Sequence, residues 1–375
     1  MLSRGAAWGA LSLRQVREMT AKRKTMRSRV RNSLVSAMVA LGAFGIASLG
    51  AAAPAAAPEP TITWGYFQGM VSSPGALIGT QASMAKMIPA RVRFIPINSG
   101  VAALAAMRAG SFDVVEGVGN PPVVSALAAR TPLVVVFAES YDGAGLYVNS
   151  NVIHTPAGLA GQNIGDLVGS SEDYELKGYL RKMGLIDKVH VVPFASDSAA
   201  AAAFLAGKLN AAYLDYGSGV PVMAKPGTKV WTTAAKIAEL GYPSLNVLVV
   251  SRKLATKEKV LTQSIVCAVS AASDAMVGPE RAKYFAAAAP LLGEPPAMAV
   301  KGSEMWPELT LKQQTEWFGA PGASVAGTKM VQEAYLKSAD FLLKSGAEMK
   351  VPSTREIAAA VDPSFVDAAL KGACK

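Results

Sequence analysis

From Thr61 onward the sequence alternates short β-prone runs with helix-patterned segments, and this alternation restricts the fold more than any other feature. Thr61–Phe67 reads as a strand ending in Gln68-Gly69, and Gly75–Met87 has helical spacing. Arg91–Ile97 alternates as a strand does, and Asn98-Ser99-Gly100 then opens a helix over Val101–Arg108 that Gly110 caps. Phe112–Val118 is the next strand, broken by Asn120-Pro121-Pro122. A helix over Val123–Ala129 and a continuous apolar strand over Leu133–Ala138 follow. After residue 146 the pattern restarts, with strands at Asn163–Val168, Val189–Phe194 and Asn210–Asp215 and helices at Glu172–Met183 and Ala199–Ala206. Leu245–Ser251 is an apolar strand able to return the chain to the first unit. The remainder is mainly helical, with an amphipathic case at Tyr335–Lys344. The order predicts an α/β protein of two lobes, the second (147–246) inserted in the first (58–146, returning over 247–375), with parallel strands covered by helices. In such sheets ligands sit where strands end and helices begin.

The charge is unevenly placed. The chain has 375 residues and a net charge of +10, which by itself suggests nucleic acid or a membrane surface as partner. Residues 1–57 hold nine basic side chains against only Glu18, which leaves 28 basic and 26 acidic, or +2, for residues 58–375. The basic start, the apolar stretch Leu34–Gly50 and the small residues Ala51–Ala57 describe a secretory signal peptide, with Met1 or Met26 as start and cleavage between Gly50 and Ala57. An exported protein with no nucleic-acid partner is therefore expected. Cys267 and Cys374 then meet an oxidising compartment, where they can pair or stay free.

Catalytic patterns are scarce. Only two histidines exist, His154 and His190, which excludes a histidine-helix zinc site. A nucleophile elbow, a Walker loop and a complete dinucleotide glycine pattern are missing from the sequence. No enzyme, metal or cofactor is expected. Polar and aromatic residues instead gather at the expected strand-to-helix turns: Tyr66-Phe67-Gln68, Asn120, Ser170-Ser171, Asp215-Tyr216 and Asn246. A serine at a helix start caps free N–H groups, and those groups with the helix dipole suit an anion.

At these turns the chain resembles the taurine and aliphatic-sulfonate (nitrate/sulfonate/taurine) branch of the periplasmic substrate-binding proteins of ABC importers. Trp64-Gly65-Tyr66 with Gln68 resembles the family's first strand and its turn. Asn98-Ser99-Gly100 with Ala102–Gly110 and Gly117-Val118-Gly119-Asn120-Pro121-Pro122 are similar to its next two segments. Ser170-Ser171 and Tyr174 match the serine pair and tyrosine that open its second-lobe ligand helix. Gly241–Val250 looks like its crossing strand, and Phe318-Gly319-Ala320-Pro321 and Ala339-Asp340-Phe341-Leu342 resemble its C-terminal helices.

The resemblance implies a type II two-lobed periplasmic-binding-protein fold, each lobe a mixed, mostly parallel sheet flanked by helices. It implies a monomer that closes on a small solute and docks on a membrane permease with a cytoplasmic ATPase. Tyr66, Phe67, Gln68, Asn120, Ser170, Ser171, Tyr174, Asp215, Tyr216 and Asn246 are its expected ligand residues. Taurine or a related sulfonate is the first expectation for the solute. The departures lie in the site: Asn120-Pro121 stands for a serine pair, Glu172 and Asp173 follow the capping serines, and Asn246 stands where an aspartate is usual. Another polar or aromatic acid or amine is the competing solute, an enzyme on the same fold acting on a pyrimidine precursor is a competing function, and a membrane-receptor sensor is another.

Overall fold

Two five-stranded sheets form the protein, ordered β2-β1-β3-β10-β4 and β7-β6-β8-β5-β9. The computed structural model describes residues 59–69, 74–304, 306, 308–318 and 329–374. The expected signal peptide (1–57) and the segment Gly319-Ala320-Pro321 lie outside the described residues. In chain order the elements used below are β1 (Thr61–Phe67), α1 (Pro74–Thr80), β2 (Arg91–Ile97), α2 (Gly100–Arg108), β3 (Val114–Val118), α3 (Asn120–Ala128) and β4 (Leu133–Tyr141). The second sheet carries β5 (Ala144–Asn149), β6 (Asn163–Asp166), α4 (Ser171–Lys182), β7 (His190–Pro193), α5 (Asp197–Leu205), β8 (Ala211–Asp215), α6 (Tyr216–Met223) and β9 (Thr228–Thr233). The chain then returns as β10 (Leu245–Ser251), followed by α7 (Lys259–Val277) and, further on, α8 (Lys329–Ser345).

The two sheets repeat one plan. β2, β1 and β3 pair in parallel, and β10 runs antiparallel between β3 and β4. β7, β6 and β8 likewise pair in parallel, with β5 antiparallel between β8 and β9. The sheets are thus mixed, as the resemblance implies. The chain leaves the first sheet between Tyr141 and Ala144 and returns between Thr233 and Leu245, so residue 146 lies inside β5 and residue 246 inside β10.

Local chemistry explains the boundaries. β4 is buried continuously along Leu133–Ser140, on residues of both faces, and its sequence is accordingly an almost unbroken apolar run. Ser99 caps α2 by accepting from the Ala102 N–H (3.3 Å), and Gly110 follows the helix with φ +81°, a conformation glycine adopts without strain. Asn120-Pro121-Pro122, expected to break the strand before it, follows the end of β3 at Val118 and itself forms the first turn of α3, three residues ahead of the expected Val123. Prolines at the first helical positions have no N–H to leave unpaired, and their fixed φ suits the helix.

The C-terminal third closes the first sheet. α7 is long and apolar enough to cross a membrane by length and composition, yet it runs through the core with Ile265, Val266, Ala268, Val269 and Ala272 fully buried. The Gln314 side chain pairs with both backbone groups of Ala138 (2.9 and 2.6 Å). Val135 exchanges backbone hydrogen bonds with Ala360 and Asp362, so the outer edge of β4 is covered rather than left open. Cys267 in α7 is disulfide-bonded to Cys374, which ties the last described turn to the core helix.

Candidate functional site: an acidic cleft between the sheets

The six parallel strands end on one shared cavity. β1, β2 and β3 of the first sheet and β6, β7 and β8 of the second each lead into a turn that lines a cavity of about 340 Å³. From the first lobe come Phe67 and Gln68 after β1, Asn98, Ser99, Gly100 and Val101 after β2, and Gly117, Gly119 and Pro122 around the end of β3. The second lobe supplies Leu167 to Glu172 after β6, Ala195 to Ser198 after β7, and Asp215 at the end of β8. Asp142 at the outgoing crossing and Asn246 on the returning strand complete the wall. Strand ends carry the site because the helices that follow them present their N-termini there.

Those N-termini are already occupied by the protein's own groups. Ser170 caps α4 by accepting from the Asp173 N–H (3.3 Å), and Asp173 accepts from the Gly169 N–H (3.0 Å) while pairing with Lys177 (2.6 Å). Ser196 caps α5 by accepting from Ala199 N–H (3.2 Å). Asp215 caps α6, accepting from the Ser218 N–H (2.7 Å) and its hydroxyl (3.0 Å). Acids at these ends are favoured by the helix dipoles.

Four carboxylates, Asp142, Glu172, Asp197 and Asp215, line the cavity, and no Lys, Arg or His is among its described lining residues. Burial dominates their titration. It pushes Asp142 up to about 6, with Asp215 adding to the rise and Ser171 and Asn246 opposing it. Burial and then Asp142 push Glu172 up to about 8. Asp197 is raised well above the usual range by burial and by the acids around it. Asp215 is raised by burial, though its bonds to Ser218 hold it down. Oδ2 of Asp142 and Oδ1 of Asp197 are buried without a hydrogen-bond partner.

Six of the ten residues expected from the sequence line the cavity: Phe67, Gln68, Ser170, Ser171, Asp215 and Asn246. Asn246 also donates to the Ser140 hydroxyl (3.3 Å). Four do not. Tyr66 neighbours Phe67 on β1 and so faces the other side of the sheet, where its ring meets Phe94 and its hydroxyl donates to the Leu291 carbonyl (3.1 Å). Asn120 is fully buried and holds the returning crossing, donating to the Pro243 carbonyl (2.8 Å) and accepting from the Leu245 N–H (3.3 Å). Tyr174 is packed edge-on between Tyr242 (5.8 Å) and Phe341 (5.3 Å), joining α4 to α8. Tyr216 packs edge-on against Trp306 (6.4 Å).

Asp142 and Ser196-Asp197-Ser198 are lining residues that the sequence reading missed. The Ser196 turn follows a correctly placed strand, so the rule that selected Ser170 would have found it. His154 and His190 are both exposed and neither lines the cavity.

The sequence matches the profile of the family described as NMT1/THI5 like over residues 85–282. No functionally curated protein matches it. In structure it is similar to the alkanesulfonate-binding protein SsuA from Xanthomonas axonopodis pv. citri bound to MOPS, at 22% identity and TM-score 0.63 over 82% of this chain and 100% of that one. The periplasmic aliphatic sulphonate binding protein SsuA from Escherichia coli gives 22% identity and TM-score 0.66 over 80% and 92%. The ligand binding component of an ABC-type import system from Staphylococcus aureus, with zinc bound, gives 11% and 0.62 over 82% and 98%. At these identities the likeness is one of fold: a two-lobed α/β periplasmic-binding-protein architecture. Because the matched profile spans more than half of the sequence, the chain belongs to the NMT1/THI5-like family.

Proposed function

We propose that this protein is the solute-binding component of an importer, holding a small molecule between its lobes and presenting it to a membrane permease driven by a cytoplasmic ATPase. The observation that carries this reading is the convergence of six strand ends from two sheets on one small cavity. A site lined from both lobes makes closure depend on the ligand, because only the closed form gathers both sets of contacts. The named functions of the structural neighbours support a binding role, and the Cys267–Cys374 disulfide suits an exported, periplasmic protein. Both histidines lie outside the cleft, so an enzyme on this fold would have to work through the cleft carboxylates instead.

Taurine or a related sulfonate has Ser171, Gln68 and Asn246 in its favour as polar contacts. The four carboxylates count against the sulfonate end, since in their charged forms they repel it, and Asp215 already caps α6.

Small-angle scattering of the purified chain with and without candidate solutes tests the binding role. One solute class should compact the molecule and raise its melting temperature while remaining chemically unchanged. Turnover of that solute into a product would overturn the proposal.

A further inference from the structure

The geometry points to a small organic cation, an amine or amidinium with an apolar body, as the solute of this cleft; this rests on the solute-binding reading above. Buried carboxylates keep their charge only when paired, and here four share one cavity with no cationic side chain among the described lining residues, so the empty cleft lacks the partner that would let them ionise. Asp142 is only 4% exposed, it lines the cavity, and its Oδ2 has no hydrogen-bond partner. Asp197 is 9% exposed and leaves Oδ1 in the same condition. Ser171 and Asn246 hold Asp142 in place and Asp197 bonds Asp215, so each acid is positioned while one oxygen stays without a partner, and an ammonium carries up to three donors and the opposite charge.

An oxyanion fares worse at every point. The Ser170 and Ser196 oxygens accept from their own helix starts and keep only a hydroxyl hydrogen each to offer, while Asp173 and Asp215 take N–H groups that an incoming anion would need. A sulfonate would add a further negative charge to a cavity that has no compensating one. Phe67, Val101, Pro122 and Leu167 supply apolar wall for the body of an organic cation, which a bare metal ion would leave unused.

The experiment uses the purified chain and four probes: butane-1,4-diamine, 2-phenylethylamine, taurine and ethanesulfonate. Thermal shift and calorimetric affinity are read for wild type, Asp142→Asn and Asp197→Asn. The second variant serves if the first does not fold. An amine should raise the melting temperature where ethanesulfonate does not, and each variant should weaken amine binding at least about tenfold. A shift by ethanesulfonate, or by taurine alone, overturns the cation assignment and leaves the solute-binding role standing. Amine affinity unchanged in both variants also overturns the assignment. A chain that no probe shifts overturns the cation assignment and leaves the solute-binding role to its own scattering test.

Discussion

Gly119, at the start of α3 in the first lobe, lies directly against the side chain of Ser171, which begins α4 in the second. A Cβ on Gly119 would collide with the Ser171 hydroxyl and crowd its Cβ, so glycine is what lets the lobes meet beside the cavity. Its φ of −75° is open to any residue, and the requirement is one of space alone.

Gly119→Val is therefore expected to hold the lobes apart without disturbing either sheet. Apparent solute affinity should fall at least about tenfold, because only the closed fraction binds fully. Scattering should show a more extended molecule, and the melting temperature without ligand should be nearly unchanged. A variant that binds as the wild type does would remove this contact from the closing mechanism.

Asn120→Ala removes both partners of the returning crossing, leaving the Pro243 carbonyl and the buried Leu245 N–H without it. The expected loss in urea unfolding is about 1–3 kcal/mol. A loss well below that would mean that the crossing is held by its backbone alone.

The buried acids set the direction of the pH dependence. Glu116 is raised well above its ordinary value by burial and by Glu139, even though Trp64 Nε1 (2.9 Å) and Gly75 N–H (2.7 Å) donate to it. Burial and Glu139 raise Glu308 in the same way. Together with the cleft acids, these groups hold protons in the folded state that the unfolded chain releases. Their stabilising contribution is full below about pH 4 and is lost as pH rises, through about 6 for Asp142 and about 8 for Glu172. Ligand-free protein should melt higher near about pH 5 than near about pH 8.5, and a slope of the opposite sign would contradict this ionisation pattern.

The Cys267–Cys374 bridge spans 107 residues of sequence and fixes the C-terminal turn to α7. Reduction, or Cys267→Ser with Cys374→Ser, should lower stability by about 2–4 kcal/mol, measured as a drop in denaturant midpoint. An unchanged midpoint would show that core packing alone holds this end.

Strand positions were legible where one face or both are apolar: β1, β2 and β10 coincide with their expected bounds. β5 and β9 were not foreseen. β5 opens with Ala144-Gly145, which carry little β signal, and β9 is a half-buried edge strand whose threonines and lysine do not make an apolar run. Because β5 was missed, the outgoing crossing was placed too late, and Asp142 escaped notice with it. The turn rule led to small polar residues that line the cavity, Gln68, Ser170, Ser171, Asp215 and Asn246, whereas Tyr66, Tyr174 and Tyr216 pack their rings into the core, because a large ring gains more by burial there than beside a small cavity.

The central claim is a cation held between the lobes by carboxylates that share protons when the cleft is empty. Calorimetric titration of the chain with butane-1,4-diamine near neutral pH, repeated in two buffers of different ionisation enthalpy, tests it most directly. The account predicts one binding event per chain with net release of protons, since an incoming cation drives Asp142 and Glu172 toward their charged forms. Binding of ethanesulfonate with uptake of protons, and no heat from the diamine, would contradict it.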